Sequence, residues 1–593
     1  MIIRCGIIFL FLFSASFSFA GQPYPLDKIV VSKSTGISNN YSLQISQLED
    51  SSARSLPEAI GFLGIDTQAR SLGYGVQTDF SLRGLGFESL AISLDGQRLN
   101  DPQTGHHNGD IPLALGDIER IELNALKGIV NIVSKSPWDS KNSFMFSSGQ
   151  HQTLATRLSL VNKSDNLSLR FSLEQKESAG YRYDTDFEIS TGSLSSNLRF
   201  NQEQEANLFL GYDEKEFGAY DFYTPNSGYP SKEWTKTLIV SAGLNLNTDS
   251  FLFKPKFLWR RHYDKFMLDK TQIKSSYLNH HYTDVYTTGL SAQIFEGFFD
   301  HFVLAAQYQQ EMINSRRLGG HIRGQGSVSM DIQKALSERI FLDNSLAYNF
   351  FDSFKNRVTG SMALVYSFPF NQRVSLGVSN TIRKPSFTEL YYQDPTTIGS
   401  DYLVSEKSFT YQLGYDYYPE GFNIGLVAFF RQEDDLINWV KQVPGDNWQA
   451  MNMLKADCFG IESYFSIRLN PVFNLSFNYS YLDRSLKDSG WLYKYGQNYA
   501  THLLNSFVEF DLPFFSSSIE LQYKKRPQRN GWLLTNLSLW RKLDFKEAGP
   551  SKKAGEDARI FCRINNLFNV GYQDIEGIPS PGRWVEAGIR WQW

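Results

Sequence analysis

Two adjacent histidines, His106 and His107, suggest binding of a metal ion. Neighbouring residues on an extended segment point in opposite directions, so this pair cannot easily chelate one ion together. The surrounding residues, 99–110, are rich in Asn, Asp, Gln and Thr, which hydrogen-bond readily. We therefore expect the two histidines to make hydrogen bonds or contact a ligand, and we predict no metal site and no required cofactor.

Acidic stretches are a second place where chemistry could occur. Asp213-Glu214 and Glu433-Asp434-Asp435 offer carboxylates, but neither has the spacing of a calcium cage. Calcium bound in loops stays an open alternative. The sequence has no Gly-x-Ser-x-Gly elbow in a strand–helix setting, no His-Glu-x-x-His, no phosphate loop and no Cys-x-x-Cys. These observations predict a protein that is not an enzyme.

The composition favours strands with one apolar and one polar face. The chain has 593 residues, with 46 Phe, 31 Tyr and 11 Trp, yet its mean hydropathy is -0.34. Apolar residues alternate with Ser, Asn, Arg and Glu, which is the period-two pattern of a half-buried strand. The net charge of -4 provides no basic surface for nucleic acid.

Beyond Pro137 this alternation recurs along the chain. Residues 167–173 place Leu or Phe at every second position, with Ser168, Arg170 and Ser172 between them. Short polar turns, such as 162–166 and 201–205, alternate with long polar and aromatic segments that we expect to be loops. These predicted loops are 177–189, 217–233 and 432–456. A soluble β-sandwich or β-helix is the alternative, but an outer-membrane barrel explains the loop asymmetry better.

The N-terminus has the composition of a secretory leader. Arg4 provides a positive start, residues 7–13 are apolar, and residues 18–20 offer small side chains for cleavage. We predict a leader over residues 1–20 and a mature chain that begins at Gly21.

The C-terminus has the pattern of an amphipathic strand that ends on an aromatic residue. Val585, Ala587, Ile589, Trp591 and Trp593 share one face. Barrel-assembly machinery recognises terminal strands of this kind, so we expect that machinery and outer-membrane lipid among the partners. At roughly 20 residues per strand and connection, the chain beyond Pro137 accommodates about 22 strands, the size class with a plugged lumen. The predicted fold is an all-β transmembrane, antiparallel outer-membrane β-barrel of about 22 strands, with an N-terminal α+β plug domain in its lumen.

Several blocks of sequence resemble the TonB-dependent outer-membrane receptor family. Blocks similar to the family's TonB box and plug are 26–33, 56–60, 80–86, 91–100, 117–122 and 128–135. Blocks similar to its barrel are 382–391, 406–408, 413–414, 565–569 and 581–583. The resemblance implies an extension over 21–50 with the TonB box, a plug domain over 51–137 and a barrel over 138–593. Within the family the chain looks most like the cobalamin-receptor branch.

The resemblance also implies roles for individual residues. Those expected to bind TonB are Asp27, Lys28, Ile29, Val30, Val31, Ser32 and Lys33. Those expected to contact ligand, on two apical plug loops, are Ser71, Tyr74, Gln77, Asn100, Asp101, Gln103, Thr104, His106, His107 and Asn108. Those expected to act as plug gating charges are Arg83, Glu119, Arg120 and Glu122.

One departure from the family pattern bears on the plug. Family members usually carry a Gly- and Ala-rich stretch between the Arg-Ile-Glu and Val-Asn-Ile blocks, whereas here residues 123–127 join them directly. This difference puts complete filling of the lumen, and hence gating, in question.

The function implied by the resemblance is TonB-energised uptake of a scarce large ligand across the bacterial outer membrane. The ligand expected is cobalamin or a related corrinoid. An iron–siderophore or oligosaccharide receptor is the nearest alternative, and a passive diffusion porin with a shortened plug is an alternative from another class.

Overall fold

The computed structural model describes residues 40–44, 51–223, 225–272, 278–295, 297–470, 472–487, 490–495, 498–543 and 557–593. The predicted leader (1–20) and the predicted TonB-binding segment (26–33) lie outside the described residues. Among the helices of the described residues, none is long and apolar enough to cross a membrane.

The N-terminal part of the chain forms a small α+β unit, here called the plug. Its elements are β1 (Asn40–Gln44), α1 (Leu56–Gly61), β2 (Asp66–Ala69), β3 (Thr78–Ser81), β4 (Ala91–Leu94), β5 (Gln97–Arg98), β6 (Ile118–Asn124) and β7 (Ile129–Ser134). Five strands form one sheet in the order β1-β6-β7-β4-β5, and β2 pairs with β3. Helix α1 begins with Pro57 in its first turn, and the Ser55 side chain caps it by accepting from the Glu58 N–H.

The rest of the chain is almost entirely strand. In chain order the elements are β8 (Ser143–Gly149), β9 (Thr153–Lys163), β10 (Leu167–Ser178), β11 (Phe187–Arg199), β12 (Gln204–Gly218), β13 (Lys232–Asn247), β14 (Phe251–Met267), β15 (Leu278–Ile294), β16 (His301–Ser315), β17 (Gly319–Ala335), β18 (Ile340–Phe351), β19 (Arg357–Phe368), β20 (Gln372–Arg383), α2 (Phe387–Tyr391), β21 (Gln393–Asp394), β22 (Thr397–Ile398), β23 (Glu406–Tyr417), β24 (Phe422–Lys441), β25 (Trp448–Asn470), β26 (Phe473–Leu486), β27 (Leu492–Tyr493), β28 (His502–Asp511), β29 (Ser516–Lys525), β30 (Trp532–Leu543), β31 (Asp557–Asn565) and β32 (Trp584–Gln592).

Within the described residues, 22 of these strands close into one antiparallel barrel. The last strand, β32, pairs with β31 on one side and with the first strand, β8, on the other. Closure leaves no free sheet edge, which is what a sheet in hydrocarbon requires. The predicted barrel of about 22 strands is confirmed.

The predicted alternation of faces is visible strand by strand. On β10, Arg170 and Ser172 are buried on the lumen side, while Phe171 and Leu173 are exposed on the outer side. On β32 the buried Glu586 alternates with outward apolar residues that include the exposed Trp591. The apolar face therefore points to lipid, and the polar face packs on the plug.

The two rims of the barrel differ, as the sequence predicts, but one predicted loop is wrong. Residues 432–456 are mostly strand, because β24 continues to Lys441 and β25 begins at Trp448, which leaves only 442–447 as the connection. The acidic run in this segment has the composition of a loop. In the structure Asp434 pairs with Lys455 (3.2 Å) and Asp435 with Lys407 (2.6 Å). These ion pairs with residues of neighbouring strands allow the charged residues to lie within a β-strand.

Candidate ligand vestibule and plug–barrel interface

The first predicted ligand loop, residues 71–77, packs against the inner wall of the barrel and the β12–β13 connection. The Tyr74 hydroxyl donates to Glu586 (3.0 Å), and the Gln77 amide donates to the Tyr223 hydroxyl. Burial and the neighbouring Glu586 carboxylate raise the pKa of Tyr74 well above its usual value. Ser71, Tyr74 and Gln77 are all buried, so this loop contacts the barrel rather than open solvent.

The second predicted ligand loop is held in the same way. Asp101 pairs with Arg260 of β14 (2.5 Å), and the Gln103 amide donates to Asp264 (2.8 Å). Asn108 accepts from the Asp101 N–H (2.9 Å), and Asn100 braces the loop by donating to the Leu90 carbonyl (2.8 Å). These contacts position the loop, and the ligand role of its residues stays a prediction.

Helix α2, from a long barrel loop, closes over this plug loop. The Phe387 and Thr388 N–H groups donate to the carbonyls of Pro102 (2.8 Å) and Gln103 (3.1 Å). The first N–H groups of a helix lack partners within the helix, so the plug loop satisfies them. A barrel loop and the plug are thereby joined at the mouth of the lumen.

His106 lies among aromatic side chains of the plug and of the barrel loops, and we call this group (Phe87, His106, Tyr223 and Tyr495) the vestibule floor. Its ring stacks on Phe87 at 4.2 Å between centroids, and Tyr223 and Tyr495 from barrel loops lie near it. Burial lowers the pKa of His106, despite its 2.7 Å contact with Asp79. Burial alone would raise the pKa of Asp79, but Arg70 (2.8 Å) and His106 hold it well below its usual range.

Thr104 and Glu88 form a polar patch beside this aromatic floor. Glu88 accepts from the Thr104 hydroxyl (3.0 Å) and the Gly105 N–H (2.8 Å). Burial, with the neighbouring Glu389, raises the pKa of Glu88 to about 8. A carboxylic acid that is neutral near pH 7 can donate as well as accept hydrogen bonds.

Within the described residues, Arg83 is the one of the four predicted gating charges that pairs with the barrel wall. Its guanidinium donates two hydrogen bonds to Glu462 (2.8 and 2.7 Å) and lies over the Phe429 ring. Arg120 instead bonds Glu119 (2.6 Å) and Glu122 (2.8 Å) within the plug, and all three side chains are part-exposed.

Most of the buried charge pairs across the interface involve residues that sequence reasoning missed. They join plug to barrel as Arg54–Glu586 (3.2 Å), Asp66–Arg526 (2.7 Å), Asp110–Lys215 (2.7 Å) and Asp117–Arg170 (3.3 Å). One feature of the sequence could have indicated that such ion pairs exist. Lysines and arginines recur on the polar faces of amphipathic strands, and they need a partner when buried. The sequence does not say which plug carboxylate each one meets.

The acidic stretches considered for calcium do not form loop cages. Asp213 and Glu214 are neighbours in β12 and make separate contacts: Asp213 with Thr191 and Lys215, Glu214 with Lys236. Glu433 in β24 is buried between Arg431 (2.7 Å) and Arg484 (2.6 Å).

A cavity lies beside the shortened plug hairpin. Strands β6 and β7 are joined by residues 125–128 alone, and Gly128 adopts a φ of +67°, which favours glycine. The cavity is about 380 Å³ and extends from this turn to the inner wall at Asp331, Lys384 and Arg431. The turn therefore borders open space between plug and wall.

A closed 22-stranded barrel with an apolar outer face and a folded plug in its lumen defines the class of plugged outer-membrane barrels. The family model described as "TonB dependent receptor-like, beta-barrel" matches residues 130–567. The chain therefore belongs to the TonB-dependent receptor family, and its barrel resides in the bacterial outer membrane. In such barrels the short turns face the periplasm, so the vestibule faces outward.

Similar proteins include both vitamin and siderophore receptors. A 142-residue segment is 25% identical to the vitamin B12 transporter BtuB of Photobacterium profundum, covering 23% of this chain and only 22% of that relative. The siderophore receptor PirA of Pseudomonas aeruginosa superimposes with a TM-score of 0.72 at 15% identity, over 94% of this chain and 100% of that one. A variant of the ferric enterobactin receptor PfeA of Pseudomonas aeruginosa, in complex with enterobactin, gives a TM-score of 0.75 at 14% identity, over 94% and 100%. At these identities the structural matches establish the fold alone.

Proposed function

We propose that the protein imports a scarce, large ligand through its lumen, with TonB supplying the work that moves the plug. The observation that carries this proposal is the set of buried ion pairs between plug and barrel, such as Arg83–Glu462 and Asp66–Arg526. Leaving one such charge buried without its partner costs about 3–5 kcal/mol. Separating several of these pairs together is costly, and we infer that opening the lumen needs an external source of energy.

The energy is proposed to enter through the segment Asp27 to Lys33, which lies outside the described residues. A short extended segment rich in β-branched residues can add as a strand to the edge of a partner's sheet. Deleting residues 27–33 should abolish uptake while leaving ligand affinity unchanged, measured as radiolabelled ligand import and binding in the same cells. Import that survives the deletion would contradict a TonB-driven mechanism.

The ligand we propose is cobalamin or a related corrinoid. Support comes from the partial match to a vitamin B12 transporter and from the aromatic and polar floor formed by Phe87, His106, Tyr223 and Tyr495. Apolar and aromatic side chains with a few placed polar groups are the usual lining of a site that buries a large ligand. An iron–siderophore or oligosaccharide is the alternative cargo.

Calorimetry on the detergent-solubilised protein tests the cargo. We expect saturable binding of cobalamin and cobinamide and none of ferric enterobactin, and we expect His106→Ala to weaken corrinoid binding more than His280→Ala. No heat with either corrinoid at micromolar concentration would remove the corrinoid assignment while leaving the family membership intact.

A passive pore is the second candidate function, favoured by the cavity of about 380 Å³ beside the shortened hairpin. Planar-bilayer recording separates the two functions. A steady conductance without TonB favours the pore, whereas a closed baseline favours energised import.

A further inference from the structure

A compact group of histidines and carboxylates lies where the plug loop meets strands β13 and β14. His107, in a one-turn helix at Gly105–His107, is 3.1 Å (Nδ1) from Asp110 Oδ2 and 3.5 Å (Nε2) from Asp264 Oδ2. From the barrel side, His262 Nε2 lies 3.9 Å from the same Asp110 oxygen, and the two imidazole centroids are 4.5 Å apart. One ligand atom from each of His107, Asp110 and His262 lies within 4.8 Å of the other two.

The polar atoms of this group are not all satisfied by hydrogen bonds. His262 is fully buried, and its Nε2 has no hydrogen-bond partner among the described residues. Its other nitrogen, Nδ1, lies 2.9 Å from the Thr237 hydroxyl. If Nδ1 donates that bond, Nε2 presents its lone pair to Asp110. Asp264 Oδ1 is likewise buried without a hydrogen-bond partner within the described part of the chain.

The charge balance of the surroundings favours a cation. Three buried carboxylates, Asp101, Asp110 and Asp264, lie near the two imidazoles, whereas the Lys and Arg side chains paired with them are two, Lys215 on Asp110 and Arg260 on Asp101. Burying excess negative charge away from water is costly unless it is compensated. A divalent cation at the centre of the group would supply that compensation.

We propose that His107, Asp110 and His262 bind one divalent transition-metal ion, such as Zn²⁺, at the seam between plug and barrel. Two imidazoles and one carboxylate suit zinc-class ions, whereas Ca²⁺ and Mg²⁺ prefer sites made entirely of oxygen. In tetrahedral coordination with bonds of about 2.0–2.2 Å, ligand atoms lie roughly 3.3 Å apart, so small side-chain rotations complete the site. Asp110 keeps its second oxygen on Lys215 (2.7 Å), and Asp264 lies where it can accept from the remaining nitrogen of His107.

Such an ion cross-links the plug loop to β14, because His107 and Asp110 belong to the plug and His262 to the barrel. The site is formed by buried side chains, so the proposed ion is distinct from the imported cargo. Adjacent His106 takes no part, because it points to Asp79.

Metal retention by the intact protein tests the proposal. Protein purified in detergent, stripped with a chelator, loaded with Zn²⁺ and desalted should retain one zinc per chain by mass spectrometry. His107→Gln and His262→Gln should each weaken zinc affinity by about 100-fold, and His280→Gln, a part-exposed histidine beside the lumen-facing His281, should retain it. Equal retention by all three variants would show surface binding and overturn the proposal.

A second readout needs no variant and covers the case in which a substitution prevents folding. Zn²⁺ should raise the thermal midpoint of the wild-type protein, and Co²⁺ should give the intense visible absorption of a tetrahedral nitrogen–oxygen site. Ca²⁺ should do neither. No retained zinc and no midpoint shift would mean that protons alone balance the group, and the proposal would fail.

Discussion

At the scale of single residues, the Arg83 guanidinium shows how the plug is anchored. Its side chain is 2% exposed and bonds Glu462 through two nitrogens, while the Arg431 guanidinium donates to the Arg83 carbonyl (2.6 Å). Arg120, which the sequence analysis placed in the same functional group, is 31% exposed and pairs only inside the plug. Two arginines to which the same role was assigned from the sequence therefore differ widely in burial.

We predict that Arg83→Met destabilises the protein far more than Arg120→Met. The first change leaves the Glu462 charge in the interface without its partner, which costs about 3–5 kcal/mol, whereas the second removes a part-exposed pair worth about 0–1 kcal/mol. Guanidinium unfolding in detergent, followed by tryptophan fluorescence, measures both. Equal losses from the two variants would contradict an anchoring role for Arg83.

A pH prediction follows from Glu88, whose pKa is raised from 4.5 to about 8. Between these values the native state keeps a proton that the unfolded state has released, so stability should fall as pH rises through this window. Glu88→Gln, which mimics the protonated form, should flatten that dependence. Unfolding midpoints at pH 5 and pH 8 measure it, with Glu420→Gln, on an exposed turn, as the control. An unchanged pH slope in Glu88→Gln would refute this assignment.

At the scale of elements, the β6–β7 hairpin determines how much of the lumen is filled. Its turn is attached to the wall by the Leu126 carbonyl, which accepts from Ser379 (2.8 Å), and by Lys127 with Asp331 (3.5 Å). The cavity begins where this turn ends. The turn therefore both contacts the wall and lines the open space beside it.

Inserting a Gly- and Ala-rich segment of about a dozen residues between Leu126 and Lys127 should be tolerated, because loop extension costs little free energy. We expect the insertion to occupy the cavity and lower any TonB-independent bilayer conductance. The same segment inserted at Gly445, in the exposed β24–β25 connection, is the control. Conductance unaffected by the hairpin insertion would show that this cavity does not form part of an ion path.

At the scale of the whole molecule, the barrel is a closed amphipathic sheet whose outer face contacts lipid and whose inner face packs on the plug. The outer face of β10 carries Phe171 and Leu173, exposed to lipid, and its inner face carries the buried Arg170. Reversing the polarity at one position should therefore have a cost that depends on which face it occupies.

We predict that Leu173→Arg lowers the free energy of folding into lipid vesicles by about 2–4 kcal/mol, because a charge near the bilayer midplane is poorly solvated. Leu173→Val, which keeps the outer face apolar, should change it by less than about 1.5 kcal/mol. Urea titration of folding into vesicles provides the measurement. If Leu173→Arg left the free energy of folding unchanged, this face of β10 would not lie in the hydrocarbon layer.

The sequence by itself determined the class of fold. Alternation such as that of residues 167–173 is a local property of the chain, so it reports strands, their two faces and the long barrel without knowledge of the tertiary structure. The continuation of strand β24 through residues 432–441 was not predicted, because the charged residues Asp434 and Asp435 find their partners on neighbouring strands.

Only the tertiary structure decided which charges meet. Asp66 pairs with Arg526, and Arg83 with Glu462, across hundreds of residues, and His107 meets His262 only because the plug lies inside the closed barrel. Nor does the sequence show that the predicted ligand loops are largely buried against the wall. Local periodicity encodes which way a side chain faces, but its partner depends on barrel closure and plug position, which the whole chain sets together.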